Sequence, residues 1–236
     1  MQKASHSPEG EPVASLSRPQ SQRVDFIDAL RGYAILMMLQ GHTIDIVLQD
    51  SYRSREHLPY VIWKSIGGLT APVFFFAAGL IVSYLLFREE SRSSGSTDRI
   101  RKGLTRAGVL ILLGFLAQFH YYDRARLIQW SPDRWEFLSR THVLHTIAVT
   151  LALIVLVYGL CRRLPSVVIA VTWLLFGIFA FCCFGPVTRW APEGLWLSWL
   201  TVFTSADHSY FPVFPWVGFG LAGAFFGWVI WTTRWH

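Results

Sequence analysis

The chain has 236 residues, 53% of them hydrophobic and only 15% charged, whereas an ordinary soluble domain is about 25% charged. The charges crowd into short stretches between long apolar runs, which points to several membrane spans rather than one large buried core. The formal net charge of +6 calls for no nucleic acid, because basic residues beside spans act as topology signals and lipid-headgroup contacts, and no basic stripe interleaved with aromatics is present.

Residues 1–22 are rich in Ser, Pro, Gln and Glu and hold no apolar run. Such a segment buries too little surface to offset its ordering cost, so it reads as a disordered tail ahead of one transmembrane domain at 23–236. The tail lacks the apolar core of a secretory signal, and the first span is expected to direct insertion itself.

Apolar runs follow at about 24–48, 60–87, 103–119, 143–161, 165–185 and 211–233, most of them near the ~20 residues that cross ~30 Å of hydrocarbon. Six helices are therefore expected, in an all-α polytopic bundle. The third run is the shortest, with Lys102 and Arg106 placed to snorkel to the interface. The stretch 195–206, LWLSWLTVFTSA, is too short to span and reads as an interfacial or re-entrant helix. Basic residues cluster from Arg88 to Arg106 and again at Arg162 and Arg163. Both clusters face the cytoplasm if the N-terminus does, which fixes the expected orientation, in a bacterial inner membrane. Gly223 and Gly227, four apart in the last run, suit close helix contact. Cys161, Cys182 and Cys183 fall in or beside apolar runs, with no spacing for a disulfide framework or thiolate metal site.

The richest stretch for chemistry is 23–45, RVDFIDALRGYAILMMLQGHTID, where Asp25, Asp28, Arg31, His42 and Asp45 interrupt an apolar helix. Ionisable groups inside a span are costly and are functional candidates by default. Arg31 and His42 are eleven positions apart, placing them roughly 20° apart around a helix and ~16 Å apart along it. Asp28 stands one turn before Arg31 and Asp45 one turn after His42, at contact spacing. His42 is thus a candidate base or acylated nucleophile, Asp45 its orienting carboxylate, and Arg31 a contact for a phosphate or carbonyl dipole. The bland reading is a structural Asp28–Arg31 pair at one headgroup boundary and a histidine sitting in the other.

The stretch DALRGYAILMMLQGH at 28–42 resembles the opening motif of membrane acyltransferases that include bacterial relatives of heparan-α-glucosaminide N-acetyltransferase. Its Arg, ten residues, His spacing is also that of the broader acyltransferase 3 group. LTAPVFFFAAGL at 69–80 is similar to the family's apolar second span, and DHSYFPVFPWVGFGLAGAFFG at 207–227 to its Pro-, aromatic- and Gly-rich segment. The resemblance implies acyl transfer, acetyl in the first instance, from acetyl-CoA or another acyl-CoA, bound as a substrate with no tightly held cofactor. A sugar or glycan would be the acceptor and His42 the catalytic histidine.

The expected topology brings further polar groups to the side where His42 lies. Lys64 is in the outer part of the second run, His142 and His145 open the fourth, and Asp207, His208 and Tyr210 precede the last. Together with Asp28, these are the candidate substrate contacts. His142 and His145, at i and i+3, share a face suited to a second base or a pair of metal ligands, although His145 equally suits a hydrogen-bonded helix position and Asp207 with His208 a solvated loop. Two rival classes stay open: a proton-coupled transporter, for which no internal repeat is visible, and a metal-dependent hydrolase using His42, His142, His145 and Asp207. Membrane lipid is the expected surrounding, and the sequence leaves self-association open.

Overall fold

The computed structural model describes residues 25–90, 96–120, 141–189 and 211–234, and these residues are helical apart from short turns. The helices are α1 (Asp25–Val47), α2 (Leu58–Gly67), α3 (Thr70–Glu90), α4 (Ser96–His120), α5 (Val143–Cys161), α6 (Ser166–Arg189) and α7 (Val213–Arg234), with a 3₁₀ turn at Asp50–Tyr52. The expected disordered tail and the 195–206 segment lie outside the described residues.

Where one helix was expected over 60–87, the chain makes α2 and α3. Gly67 and Gly68 are poor helix formers, and Pro72 lacks the N–H that helix continuation needs but is tolerated in a first turn. The Gly68 amide still donates to Lys64 O at 2.9 Å and Leu69 to Ile66 O at 3.0 Å, so the break is a tightened joint. Leu58–Arg88 as a whole, Val143–Cys161, Ser166–Val187 and Val213–Thr233 are long and apolar enough to cross a membrane. α1 and α4, at 23 and 25 residues, match the spans in length but are diluted by charge. In α4 this is because helix begins at Ser96, ahead of the apolar run, so that Asp98, Arg99, Arg101 and Lys102 fall in its opening turns.

The register of the bundle can be followed from glycines. Gly79 of α3 meets Gly220 of α7 backbone to backbone, Gly223 meets Phe76, and Gly227 meets Leu80 and Ser83. α3 and α7 therefore run parallel and so close that no Cβ fits between them, the role expected of Gly223 and Gly227. α5 runs alongside in the same sense, with Thr150 against Gly220 and Phe87 edge-on to Tyr158. α4 is antiparallel to α5, since Gly103 meets Val155 and Gly114 meets His145. α6 is antiparallel to α7 through Gly177 and Gly218, and α1 is antiparallel to α3, with Ile27 packed among Leu80 and Tyr84.

One end of the bundle, here the upper end, thus gathers the start of α3, α5 and α7 and the finish of α1, α4 and α6. Phe75, Ile147, Leu151 and Phe211 pack there, while Phe87, Tyr158, Trp173 and Trp231 pack at the lower end. Large apolar side chains cover the outside, Leu160 at 84% and Leu175 at 60% exposure among them. A water-facing surface would not tolerate such coverage, whereas hydrocarbon is its natural solvent. The protein is a polytopic integral membrane helix bundle.

Candidate active site

α1 carries two stripes. Ile27 and Ala34 are buried and Leu30, Met37, Gly41, Ile44 and Leu48 half-buried, a 3–4 spacing that turns one face toward α3. Asp28, Arg31 and His42 lie one residue further round and are exposed, so the polar stripe runs along the flank of the contact. Arg31 and His42 share that flank, ~16 Å apart by the helical rise. Among the described residues, Asp28 and Arg31 form no ion pair with each other.

Asp45 is held differently from the expected orienter of His42. Its carboxylate faces Lys64 of α2 at 3.9 Å, both side chains about half exposed, and its carbonyl accepts from Arg53 Nη2 at 2.6 Å. Arg53 Nε also donates to Leu48 O at 3.0 Å. One guanidinium therefore satisfies two of the carbonyls that a helix C-terminus leaves open, and its charge suits that end of the dipole. The turn so anchored brings Tyr52 and His57 against the start of α2, their rings 5.6 Å apart.

This turn bounds an open cavity of ≈670 Å³, lined among others by Thr43, Val47, Tyr52, His57, Tyr60 and Trp63, with Thr43, Val47, Tyr52 and His57 exposed. That volume is typical of a small-molecule site, and a mainly apolar wall with a few polar groups is the usual lining. Among the described residues His57 is the one histidine in the lining, and its Nε2 lies 3.1 Å from Ser51 O. Thr43 and Val47 are about 100° and 140° round α1 from His42 at helical spacing. The cavity thus opens on the far side of the helix from His42. His57 lies in a polar loop between apolar runs, and its sequence signal is confined to its position just before Leu58-Pro59, at a helix start.

His142 and His145 stand at the upper end on α5. The His142 amide donates to His145 Nδ1 at 3.1 Å, and the His145 ring packs edge-on to Phe115, centroids 4.5 Å apart, over Gly114. His145 is 7% exposed, a wedged packing group between α4 and α5. Burial pushes the His142 imidazole below its usual range. Thr141 and Thr146 hydroxyls both donate to Phe211 O, at 3.1 and 2.5 Å, tying the entry of α7 to the start of α5. Asp207, His208 and Tyr210, just ahead of Phe211, lie outside the described residues. His42 and the His142–His145 pair therefore belong to the same end of the bundle but to different helices, α1 packing on α3 and α2 while α5 packs chiefly on α4 and α7. Among the described residues, no three of His, Cys, Asp and Glu gather as a metal site would require.

A family model described as heparan-alpha-glucosaminide N-acetyltransferase, catalytic, matches residues 23–236. No curated protein and no solved structure gives a match.

Proposed function

The chain belongs to the heparan-alpha-glucosaminide N-acetyltransferase catalytic family and is a membrane acetyltransferase, and on that premise we propose that it transfers acetyl from acetyl-CoA to an amine or hydroxyl of a sugar or envelope glycan. The observation that carries the site is the ≈670 Å³ cavity with His57 in its wall. In it, a ring nitrogen of His57 takes the proton from the acceptor N–H or O–H while the acceptor attacks the thioester carbonyl. The C–S bond then breaks, and the thiolate of coenzyme A leaves and picks up a proton. Tyr52, Tyr60 and Trp63 offer flat faces against which a sugar ring packs.

A second reading keeps His42 as the base or the acylated nucleophile on the polar flank. Arg31 would hold the donor phosphates ~16 Å away, with Asp28 beside it, and Lys64, His142, His145, Asp207, His208 and Tyr210 would serve the acceptor. What supports it is the costly run of ionisable groups along one span. In both readings the N-terminus faces the cytoplasm, in a bacterial inner membrane; what supports the orientation is that Arg88, Arg99, Arg101 and Lys102 lie at the same lower end as Arg162 and Arg163, and basic residues favour the cytoplasmic side. Purified protein incubated with radiolabelled acetyl-CoA and extracted glycans tests the activity: label should move to glycan, and label left wholly on donor would reject the substrate assignment.

A further inference from the structure

The cavity beside His57 continues onto the outside of α1. Thr43 stands in its wall and is exposed, and Leu39, Leu36 and Gly32 fall within about 40° of Thr43 around the helix. Leu39 is 63% and Leu36 66% exposed, and a Cβ added at Gly32 would meet nothing within 4 Å. These positions make an apolar track that descends ~16 Å from Thr43 by the helical rise. That is about half of the ~30 Å of hydrocarbon in a bilayer, the depth of one leaflet. Arg31 and His42 lie about 100–120° away round the helix and stay clear of it.

Ile44, Val47 and Leu48 supply aliphatic wall to the cavity, and Tyr52, Tyr60 and Trp63 supply flat faces. Tyr and Trp at the end of a span would by themselves be ordinary interfacial residues, but here they bound a space large enough for a sugar. The Thr43 hydroxyl already donates to Leu39 O at 2.8 Å. A free sugar arriving from water would trade hydration for a mainly apolar wall, which is costly for each hydroxyl left without a partner. A sugar carried on a lipid chain offsets that cost in a specific way. Lipid hydrocarbon is as apolar as leucine, so the chain gains little by lying on the track. What it supplies is position, holding the head at the depth of the cavity mouth at an effective concentration far above that of a free sugar.

We propose that the acceptor is a saccharide carried on a lipid chain and admitted sideways from the upper leaflet, its head in the cavity beside His57 and its chain leaving over Thr43 and Leu39 along the outer face of α1. This acceptor class rests on the acyl-transfer reading of the same cavity, and the transfer step is unchanged.

The full chain in lipid nanodiscs tests this with methyl and dodecyl β-glucosaminide, and with a dodecyl β-glucosaminide bearing a diazirine at the end of its chain. Irradiation and peptide mass spectrometry should place the label on α1 between Gly32 and Leu39, and excess dodecyl β-glucosaminide should compete it away. With radiolabelled acetyl-CoA, KM for the dodecyl glycoside should lie about tenfold or more below that for the methyl glycoside. Leu39→Trp, which plugs the exit, should raise the dodecyl KM several-fold and leave the methyl value unchanged. Leu175→Trp, on α6 and 60% exposed in the parent, should match the parent with both. Label spread evenly over the lipid-facing helices, equal KM values for the two glycosides, or equal losses in the two tryptophan variants would each overturn lateral entry. Label confined to α1 with no acetyl reaching either glycoside would reject acyl transfer and the acceptor role with it. Evenly spread label with acetyl reaching the methyl glycoside would reject lateral entry alone.

Discussion

Asp45 presents its carboxylate to Lys64 across the gap between α1 and α2, at 3.9 Å, although its place one turn after His42 would suit a carboxylate that orients an imidazole. The pair is half exposed and spans two helices joined by the Arg53-anchored turn, so it is a surface contact worth between nothing and about 1 kcal/mol. Asp45→Asn should therefore leave acetyl transfer within a few-fold of the parent and shift the unfolding midpoint little. A loss approaching a thousandfold in single-turnover rate would return Asp45 to the active site beside His42.

The α3–α7 contact has no room for side chains at Gly79, Gly223 and Gly227, and Thr150 of α5 fills the space beside Gly220. Gly223→Leu should force the two helices apart and leave little monodisperse protein, and Gly223→Ala should still cost about 1–3 kcal/mol by overpacking. Gly108 of α4 has no neighbour within 4 Å of an added Cβ among the described residues. Gly108→Ala should thus be neutral or slightly stabilising by helix propensity. Size-exclusion profiles and thermal midpoints of the variants check this, and equal behaviour of Gly223→Ala and Gly108→Ala would refute the close approach.

His142, half-buried ahead of α5, has its pKa lowered by desolvation from the ordinary 6.5. A histidine whose folded pKa is lowered binds fewer protons folded than unfolded as pH drops past 6.5, so stability falls toward acid. The parent should lose thermal stability between pH 7.5 and pH 5, and His142→Gln should lose less over the same interval. Identical pH profiles would show that His142 is equally solvated in both states.

Spans were legible from the sequence because a helix in lipid must be apolar along its whole length, and the runs at 143–161 and 211–233 became α5 and α7 within two residues. The glycines of the last run likewise announced a close contact. What periodicity did not disclose was the joint at Gly67-Gly68, where two glycines and a proline override an unbroken apolar pattern. The polar stripe of α1 was visible, since its spacing follows from helical geometry alone. Which flank of α1 borders a cavity was not, because that depends on where a ten-residue turn folds back. Arg53 decides it by bonding to Asp45 O and Leu48 O, a tertiary choice that leaves no periodic trace. His57 was missed for the same reason.

The histidine that serves the transfer is decided by comparing two single variants. His57→Ala and His42→Ala, purified and folded to the same extent, should be followed in single-turnover transfer of radiolabelled acetyl from acetyl-CoA to extracted glycan. Removing a general base typically costs ~10²–10⁴ in rate. The cavity predicts that loss in His57→Ala, with His42→Ala within a few-fold of the parent. The reverse, a loss of that size in His42→Ala with His57→Ala near normal, would contradict the cavity as the active site and move the chemistry to the polar flank of α1.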